Sequence, residues 1–345
     1  MNMQIEIINE ISSSGIIIAE IAQAHEGSLG TAYAMIDAAA TAGADAVKFQ
    51  THIASMESTL DEPWRIKFSY QDETRFDYWH RMEFTPDQWA GIAEHVRKKG
   101  MIFLSSPFSA EAVKLLDRLD MPAWKVPSGE IGNIELLEAI LETNKPILFS
   151  TGLCTLAELD AAVVRATARN VPFAVFQCTS EYPCSPEHWG LNMIAELQKR
   201  YDCLVGFSDH SGTPAAGMAA VALGASFIEV HVTFSRGMFG PDVSASITFE
   251  ELAELARGVK QIRSAITSPV DKDEMALRKK DLRSIFGRSW ALRKDLPAGT
   301  TLLREHLSLK KPGTGIPYDR INDIVGKKLK SDKSALHLLS RNDFE

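Results

Sequence analysis

The chain has 345 residues, 45% hydrophobic and 24% charged, which is the balance of a globular protein with a large core. Its formal net charge of −8 argues against a general binder of nucleic acid or of anionic membrane, while leaving room for an anionic small substrate met by a local cation cluster. Cys154, Cys178, Cys184 and Cys203 form neither a CxxC motif nor a disulfide framework, and neither a leader peptide nor a membrane span is legible, so a cytoplasmic protein with reduced thiols is expected.

Residues 1–14 are polar and read as a short leading strand or arm. A β/α alternation then begins. Strand-like runs fall at 15–22, 45–51, 101–108, 123–129, 146–152, 173–180, 204–210 and 226–233. Helical patterns lie between them, for example at Leu29–Ala42, Pro86–Lys99, Ala110–Leu119 and Leu156–Arg169, and an amphipathic helix, Thr248–Ile266, follows the eighth strand. Eight units without a GxGxxG turn favour a (β/α)₈ TIM barrel over a doubly wound sheet. One connection, 53–84, is too long for a simple turn and carries Trp64, Phe68, Tyr70, Phe76, Tyr78 and Trp79. That composition predicts a lid or a partner-contacting insert rather than disorder. The expected organisation is a barrel over 1–267, a charged linker over 268–284, and a small second domain over 285–345 with a turn at Pro297-Ala298-Gly299 and the loop KKPGTGIP (310–317).

Barrel enzymes carry their chemistry at the carboxyl ends of the strands. Here two strands end in histidines, His210 in LVGFSDH and His231 in SFIEVHVT, separated by a helix-length segment. Neighbouring parallel strands of this kind can bring two imidazoles to one divalent ion, with Asp209 and Asp242 nearby in sequence. Two unrelated, hydrogen-bonded polar residues are the plainer alternative. The other strand ends offer Glu20; Lys48 and Gln50; Ser106; Lys125 and Ser128, with Glu130 just beyond; Ser180 and Tyr182; and Ser208. An all-parallel barrel has no solvated edge, so Lys48 and Lys125 must be paired or must meet a ligand. Lysines for a phosphate or carboxylate, histidines for a metal and carboxylates for proton transfer together point to a metal-assisted reaction on an anionic substrate.

The segments AEIAQAHEGSL, ADAVKFQTH, GMIFLSSPFS, AWKVPSGE, PILFSTG, QCTSEYP, GFSDHS, EVHVTF and GPD, in this order, resemble bacterial sialic acid synthases, and the KKPGTGI segment resembles the antifreeze-like (SAF) domain that follows the barrel in that family. The resemblance covers nearly the whole chain. It implies a small α+β C-terminal domain and condensation of phosphoenolpyruvate with an N-acylated aminosugar, such as N-acetylmannosamine or a diacetamido sugar, to a nonulosonic acid and phosphate. It also implies a metal, manganese with magnesium or cobalt as alternatives, on His210 and His231. Phosphoenolpyruvate contacts would fall on Lys48, Gln50, Ser106, Lys125, Ser128 and Ser208. The sugar contacts implied are Glu20, Glu130, Tyr182 and Asp242, with Glu20 or Glu130 moving a proton, and Lys311 matches a residue that reaches a partner subunit's sugar. A domain-swapped homodimer follows from that reach. Ala24, Ser180 and Lys311 depart from the family's usual asparagine, asparagine and arginine, and all three lie toward the sugar. A metal-dependent barrel hydrolase using His25, His210 and His231 is the alternative enzyme, although it gives two buried lysines no task. A sugar-binding or structural module that uses the antifreeze-like domain is the non-enzymatic alternative.

Overall fold

The computed structural model describes residues 15–345, so the arm expected over 1–14 lies outside the described residues. The chain divides into two compact units at Thr267/Ser268. In the first, eight strands form the wall: β1 (Ile16–Ala22), β2 (Ala46–Thr51), β3 (Ile102–Pro107), β4 (Trp124–Val126), β5 (Ile147–Ser150), β6 (Phe173–Cys178), β7 (Leu204–Asp209) and β8 (Phe227–Thr233). They are parallel and ordered β3-β2-β1-β8-β7-β6-β5-β4, with β3 lying against β4 without a shared ladder, so the sheet curls nearly shut. This is the TIM-like barrel that the alternation predicts.

The helices form for local reasons. In α1 (Leu29–Ala42), Ala32, Met35, Ile36, Ala39 and Ala42 recur at helical spacing and are buried. Ser28 caps its first turn by accepting from the Thr31 amide, and Gly43 ends it at φ +91, a left-handed turn that suits glycine. The helix expected after the eighth strand runs Phe249–Thr267, and the other expected helices also end within two residues of their predicted limits.

Alternation along the strands sorts the barrel interior into layers. Ile16, Ile18 and Glu20 share one face of β1; Ala46, Lys48 and Gln50 share one face of β2; Phe227, Glu229 and His231 share one face of β8. Ile16, Ile18, Ala46, Leu104, Leu148, Ala174, Phe176 and Phe227 plug the lower layer as one apolar cluster. The charged residues occupy the layers above it. Gly206 on β7 makes room for this plug, because a Cβ there would stand 2.6 Å from the Phe176 ring.

The long connection after β2 is ordered. It holds α2 (Ala54–Glu57) and α3 (Arg75–Met82), the latter opened by a Thr74/Asp77 capping box. Ala54, Tyr78, Trp79 and Met82 are buried, and Trp64, Phe68 and Phe76 pack against them. Most of its aromatic area is therefore used inside the insert itself. Tyr70 is the conspicuous exception, at 98% exposure. Arg81, held within the insert by Asp72, pins the insert to the loop after β1 through the Glu26 carbonyl and carboxylate.

The second unit has its own core of Trp290, Leu292, Leu302, Leu307, Ile324, Leu329, Leu339 and Phe344. Ser289–Leu292 and Leu307–Lys310 pair antiparallel within it. In and just beyond the segment expected as a linker, 268–284, lie two short helices, Lys272–Arg278 and Lys280–Phe286. Lys, Glu, Met, Ala, Leu and Arg are strong helix formers, and Asp271 caps the first helix by accepting from the Asp273 and Glu274 amides.

Candidate active site

Four charged side chains meet inside the upper barrel. Lys48 Nζ lies 2.6 Å from Glu20 Oε2 and 3.6 Å from Glu229 Oε1, while Lys125 Nζ lies 2.8 Å from Glu229 Oε2. Lys48 also donates to Ser106 Oγ at 3.3 Å and Lys125 to Ser208 Oγ at 2.9 Å. The Lys125 ammonium sits 3.9 Å above the Phe176 ring of the plug. All four are buried, so each charge stands only through its partners.

The four groups do not share charge equally. Burial raises Glu20 to about 7, with Lys48 opposing the rise. Burial would raise Glu229 too, but Lys125 and Lys48 outweigh it and hold the carboxylate at about 2. Burial lowers Lys125, and Glu229 only partly offsets it; Lys48, flanked by both glutamates, is held above its ordinary range despite its burial.

His210 and His231 face one another at the ends of β7 and β8, with ring centroids 5.3 Å apart. Tyr182 stacks on His210 at 4.1 Å, and its hydroxyl lies 3.1 Å from His210 Nε2. The other ring nitrogen, Nδ1, donates to the Thr179 carbonyl at 2.8 Å. Burial opposes charge on His210, yet Cys178 and the Thr179 carbonyl outweigh it and raise the ring to about 9. His231 is lowered to about 4, chiefly by burial. Among the described residues, no three His, Cys, Asp or Glu side chains gather as a metal-holding group.

Above this layer, a cavity of about 380 Å³ opens between Gln23, Gln50, Ser128, Ser180, Tyr182, His231, Asp242 and the aromatic insert. Ser128 Oγ lies 3.2 Å from Ser180 Oγ. Glu130 lines a neighbouring cavity of about 400 Å³, bordered also by Gln50, Arg75 and Trp79. Its carboxylate accepts from Asn133 at 2.7 Å, and burial raises its pKa. The two glutamates thus occupy different surroundings, Glu20 against Lys48 and Glu130 in the neighbouring cavity. Lys311 belongs to the second unit, where its ammonium lies 5.3 Å from the Phe286 ring.

Two residues that the sequence reading left without a role join this arrangement. Glu229 bonds to both lysines, and its place on the same strand face as His231 was a usable signal. Arg65 comes from the insert, donates to Asp242 Oδ1 at 2.7 Å and to the Pro241 carbonyl at 3.1 Å, and covers the Tyr182 ring at 4.3 Å. Nothing local in the sequence marks it, because its partner is far along the chain.

Residues 35–271 match the model of the NeuB family and residues 287–345 that of the SAF domain. The chain belongs to the NeuB family. It is 33% identical to the N,N'-diacetyllegionaminic acid synthase of Campylobacter jejuni, with 90% of this chain and 95% of that protein covered. It is 34% identical to the N-acetylneuraminate-9-phosphate synthase of Mus musculus, covering 91% of this chain and 88% of that one. Among solved structures, the N-acetylneuraminic acid (sialic acid) synthetase of Leptospira borgpetersenii in complex with citrate superposes with a TM-score of 0.68 at 28% identity, covering 79% of this chain and 92% of that one. These NeuB-family relatives are named as synthases, and the hydrolase alternative finds no support among them.

Proposed function

We propose that this chain condenses phosphoenolpyruvate with an N-acylated aminosugar to give a nonulosonic acid and phosphate. The observation that carries the reading is the pair of buried lysines at barrel strand ends, each tied to a buried glutamate and a serine hydroxyl beneath an open cavity. In this reading Lys48 and Lys125, with Gln50, Ser106, Ser128 and Ser208, receive the phosphate and carboxylate. Held in this way, carbon 3 of phosphoenolpyruvate is aligned on the sugar's aldehyde, an alignment worth up to roughly 7–11 kcal/mol in favourable models. Water then adds at carbon 2 and phosphate leaves. Glu20, raised to about 7, is the carboxyl able to hold or release a proton near neutrality from the base of the cavity. Glu130, Tyr182 and Asp242 face the sugar, and Arg65 anchors Asp242.

The donor set fits a divalent metal. His231 is neutral, and His210 is oriented by its Nδ1 bond to the Thr179 carbonyl, so a metal on Nε2 would replace the proton there. His210 and His231 would hold manganese, or magnesium or cobalt, with substrate or water completing an open site, and the bound ion would polarise the aldehyde as a Lewis acid.

The insert lends the cavity the apolar side chains of Trp64, Ile66, Phe68, Tyr78 and Trp79. Each methylene placed against such walls is worth roughly 1–3 kcal/mol of discrimination. Ala24 and Ser180, smaller than the asparagines usual in the family, leave fewer polar contacts for a hydroxyl-rich sugar. The acceptor is therefore a deoxygenated or doubly acylated aminosugar rather than N-acetylmannosamine. A panel of aminosugars with phosphoenolpyruvate, read by phosphate release and product mass, tests both claims. Phosphate release requires both substrates, and the modified sugars exceed N-acetylmannosamine by roughly tenfold or more in kcat/KM. A preference for N-acetylmannosamine overturns the acceptor assignment, and phosphate release without sugar overturns the reaction.

The working form in this reading is a cytoplasmic homodimer in which each second unit caps the partner's barrel. No helix among the described residues is long and apolar enough to cross a membrane. Exposed Leu277, Leu282, Ile285 and Phe286 at the start of the second unit supply apolar area for a contact between subunits.

A further inference from the structure

Behind Gln50 stands a row of buried polar groups that the reaction as described does not use. The His52 ring is clamped between Trp79 of the insert, at 3.9 Å and 17°, and Phe108 beyond β3, at 4.3 Å and 21°. Its Nδ1 lies 2.5 Å from Glu57 Oε1 in α2, and its Nε2 lies 2.8 Å from Gln23 Nε2. Gln23 Nε2 also lies 2.5 Å from Gln50 Oε1, and Gln50 Nε2 lies 3.1 Å from Glu20 Oε1.

Proton directions follow from one end of this row. While ionised, Glu20 only accepts, so it draws the amide NH₂ of Gln50 and turns the Gln50 oxygen toward Gln23. That oxygen requires a donor, which turns the Gln23 NH₂ outward, and its second hydrogen points at His52 Nε2. The imidazole must then present a lone pair at Nε2 and carry its proton on Nδ1, where the Glu57 carboxylate accepts it. With Glu20 ionised, this direction gives each of these bonds a donor and an acceptor; His52 Nε2 also lies 3.4 Å from Gln50 Oε1, a longer contact than the 2.8 Å to Gln23 Nε2 that sets the tautomer. An Nε2–H tautomer would set a donor against the Gln23 NH₂. Turning Gln23 to meet it would oppose two carbonyl oxygens, and turning Gln50 in response would set an oxygen against Glu20.

We propose that Glu57 and His52 are positioning residues that, through Gln23, fix the amide orientation of Gln50 and so present its NH₂ to Glu20. The inference rests on the synthase reading for its effect on turnover, but not for the relay itself. Glu57 and Trp79 both belong to the insert, so the relay also makes the Gln50–Glu20 contact depend on how the insert is seated. The stacking of Trp79 and Phe108 fixes the plane of the ring, and Glu57 fixes which nitrogen bears the proton.

The test uses the full chain labelled with ¹⁵N at histidine, with the His52 signals assigned by their loss in His52→Asn. The expected spectrum has a protonated Nδ1 and an unprotonated Nε2 on His52, the reverse of the tautomer that free neutral histidine favours. Glu57→Ala releases the ring from that form, while Glu57→Gln, which keeps an acceptor oxygen, retains it. A double-mutant cycle then separates positioning from general support of the insert. Glu57→Ala lowers kcat/KM for phosphoenolpyruvate roughly tenfold in the native background. It lowers kcat/KM less than about twofold when Gln50 is already alanine, because no amide is left to orient. An Nε2–H ring in the native protein, or a cycle in which the two losses multiply, overturns the proposal. If the native chain turns over no aminosugar, the synthase reading falls, and the ring spectrum by itself upholds or overturns the relay.

Discussion

The lysine assignment has one clean test, which separates what Lys125 does for stability from what it does for substrate. Lys125→Met leaves Glu229 buried with Lys48 at 3.6 Å and the Ser208 hydroxyl at 3.5 Å as its remaining partners. Removing one member of a buried ion pair costs about 3–5 kcal/mol, because the survivor keeps its desolvation penalty and loses most of its compensation. For a barrel of this size that is a fall of roughly 6–20 °C in Tm. Lys125→Met/Glu229→Gln removes both charges, and replacing a buried pair by neutral groups of similar volume is often close to neutral, so the double variant recovers to within about 2 kcal/mol of the native protein. Binding behaves differently. The neutral pair cannot offer a charge-assisted hydrogen bond to a phosphate or carboxylate, an interaction worth about 1.5–3 kcal/mol, so the double variant binds phosphoenolpyruvate roughly 10- to 100-fold more weakly. Urea unfolding and calorimetry of the native, single and double variants read both quantities. Equal stability of the single variant and the native protein refutes the pairing argument. Native phosphoenolpyruvate affinity in the stable double variant refutes the role of Lys125.

Chelation abolishes turnover and Mn²⁺ restores it, and Mn²⁺ affinity measured by titration rises with pH because the His210 proton, with a pKa near 9, must leave; full activity in His210→Ala/His231→Ala refutes the site. Glu20, raised from 4.5 to about 7, adds stability below its unfolded pKa that is lost as pH rises through the folded one, so the stability of Glu20→Gln relative to the native protein grows between pH 5 and 8 by up to about 3 kcal/mol in denaturant titrations; a difference independent of pH refutes it. A Lys48→Met variant mixed with a chain truncated after Thr267 regains activity when subunits exchange, and scattering that shows a strict monomer refutes the shared site.

Much of this was legible in the sequence for definite reasons. The barrel follows from an eightfold alternation that few other architectures accommodate, and the strand-end histidines and lysines follow from the period-two pleat. What escaped is equally specific. Glu229 could be assigned to a face, but the cross-barrel bonds to Lys48 and Lys125 come from β2 and β4, and only closure of the sheet brings them together. Arg65 and Asp242 are separated by most of the barrel sequence, and no periodicity joins an insert to a loop. The helices at Lys272–Arg278 and Lys280–Phe286 carry no apolar stripe to mark them, because helix propensity depends on backbone and rotamer freedom rather than on polarity. His52 and Glu57 lie five residues apart, just before and at the end of a four-residue helix too short to carry a pattern.

In the function proposed, the charge balance of the upper barrel explains why two glutamates stand beside the lysines that would receive an anion. Lys48, Lys125, Glu20 and Glu229 sum to zero when all are ionised, so the lysines are satisfied before any substrate arrives and the site does not hold naked cations in a buried space. An arriving phosphate and carboxylate add negative charge beside both glutamates and must be offset. Glu229, at about 2, stays ionised across the physiological range and holds Lys125 in place. Glu20, at about 7, is the one that can respond, because taking up a proton there frees Lys48 to turn toward the incoming anion. The environments of the two acids push their pKa values apart, and that separation divides their work. One carboxylate anchors the cation array. The other exchanges a proton with it, between Lys48 and Gln50.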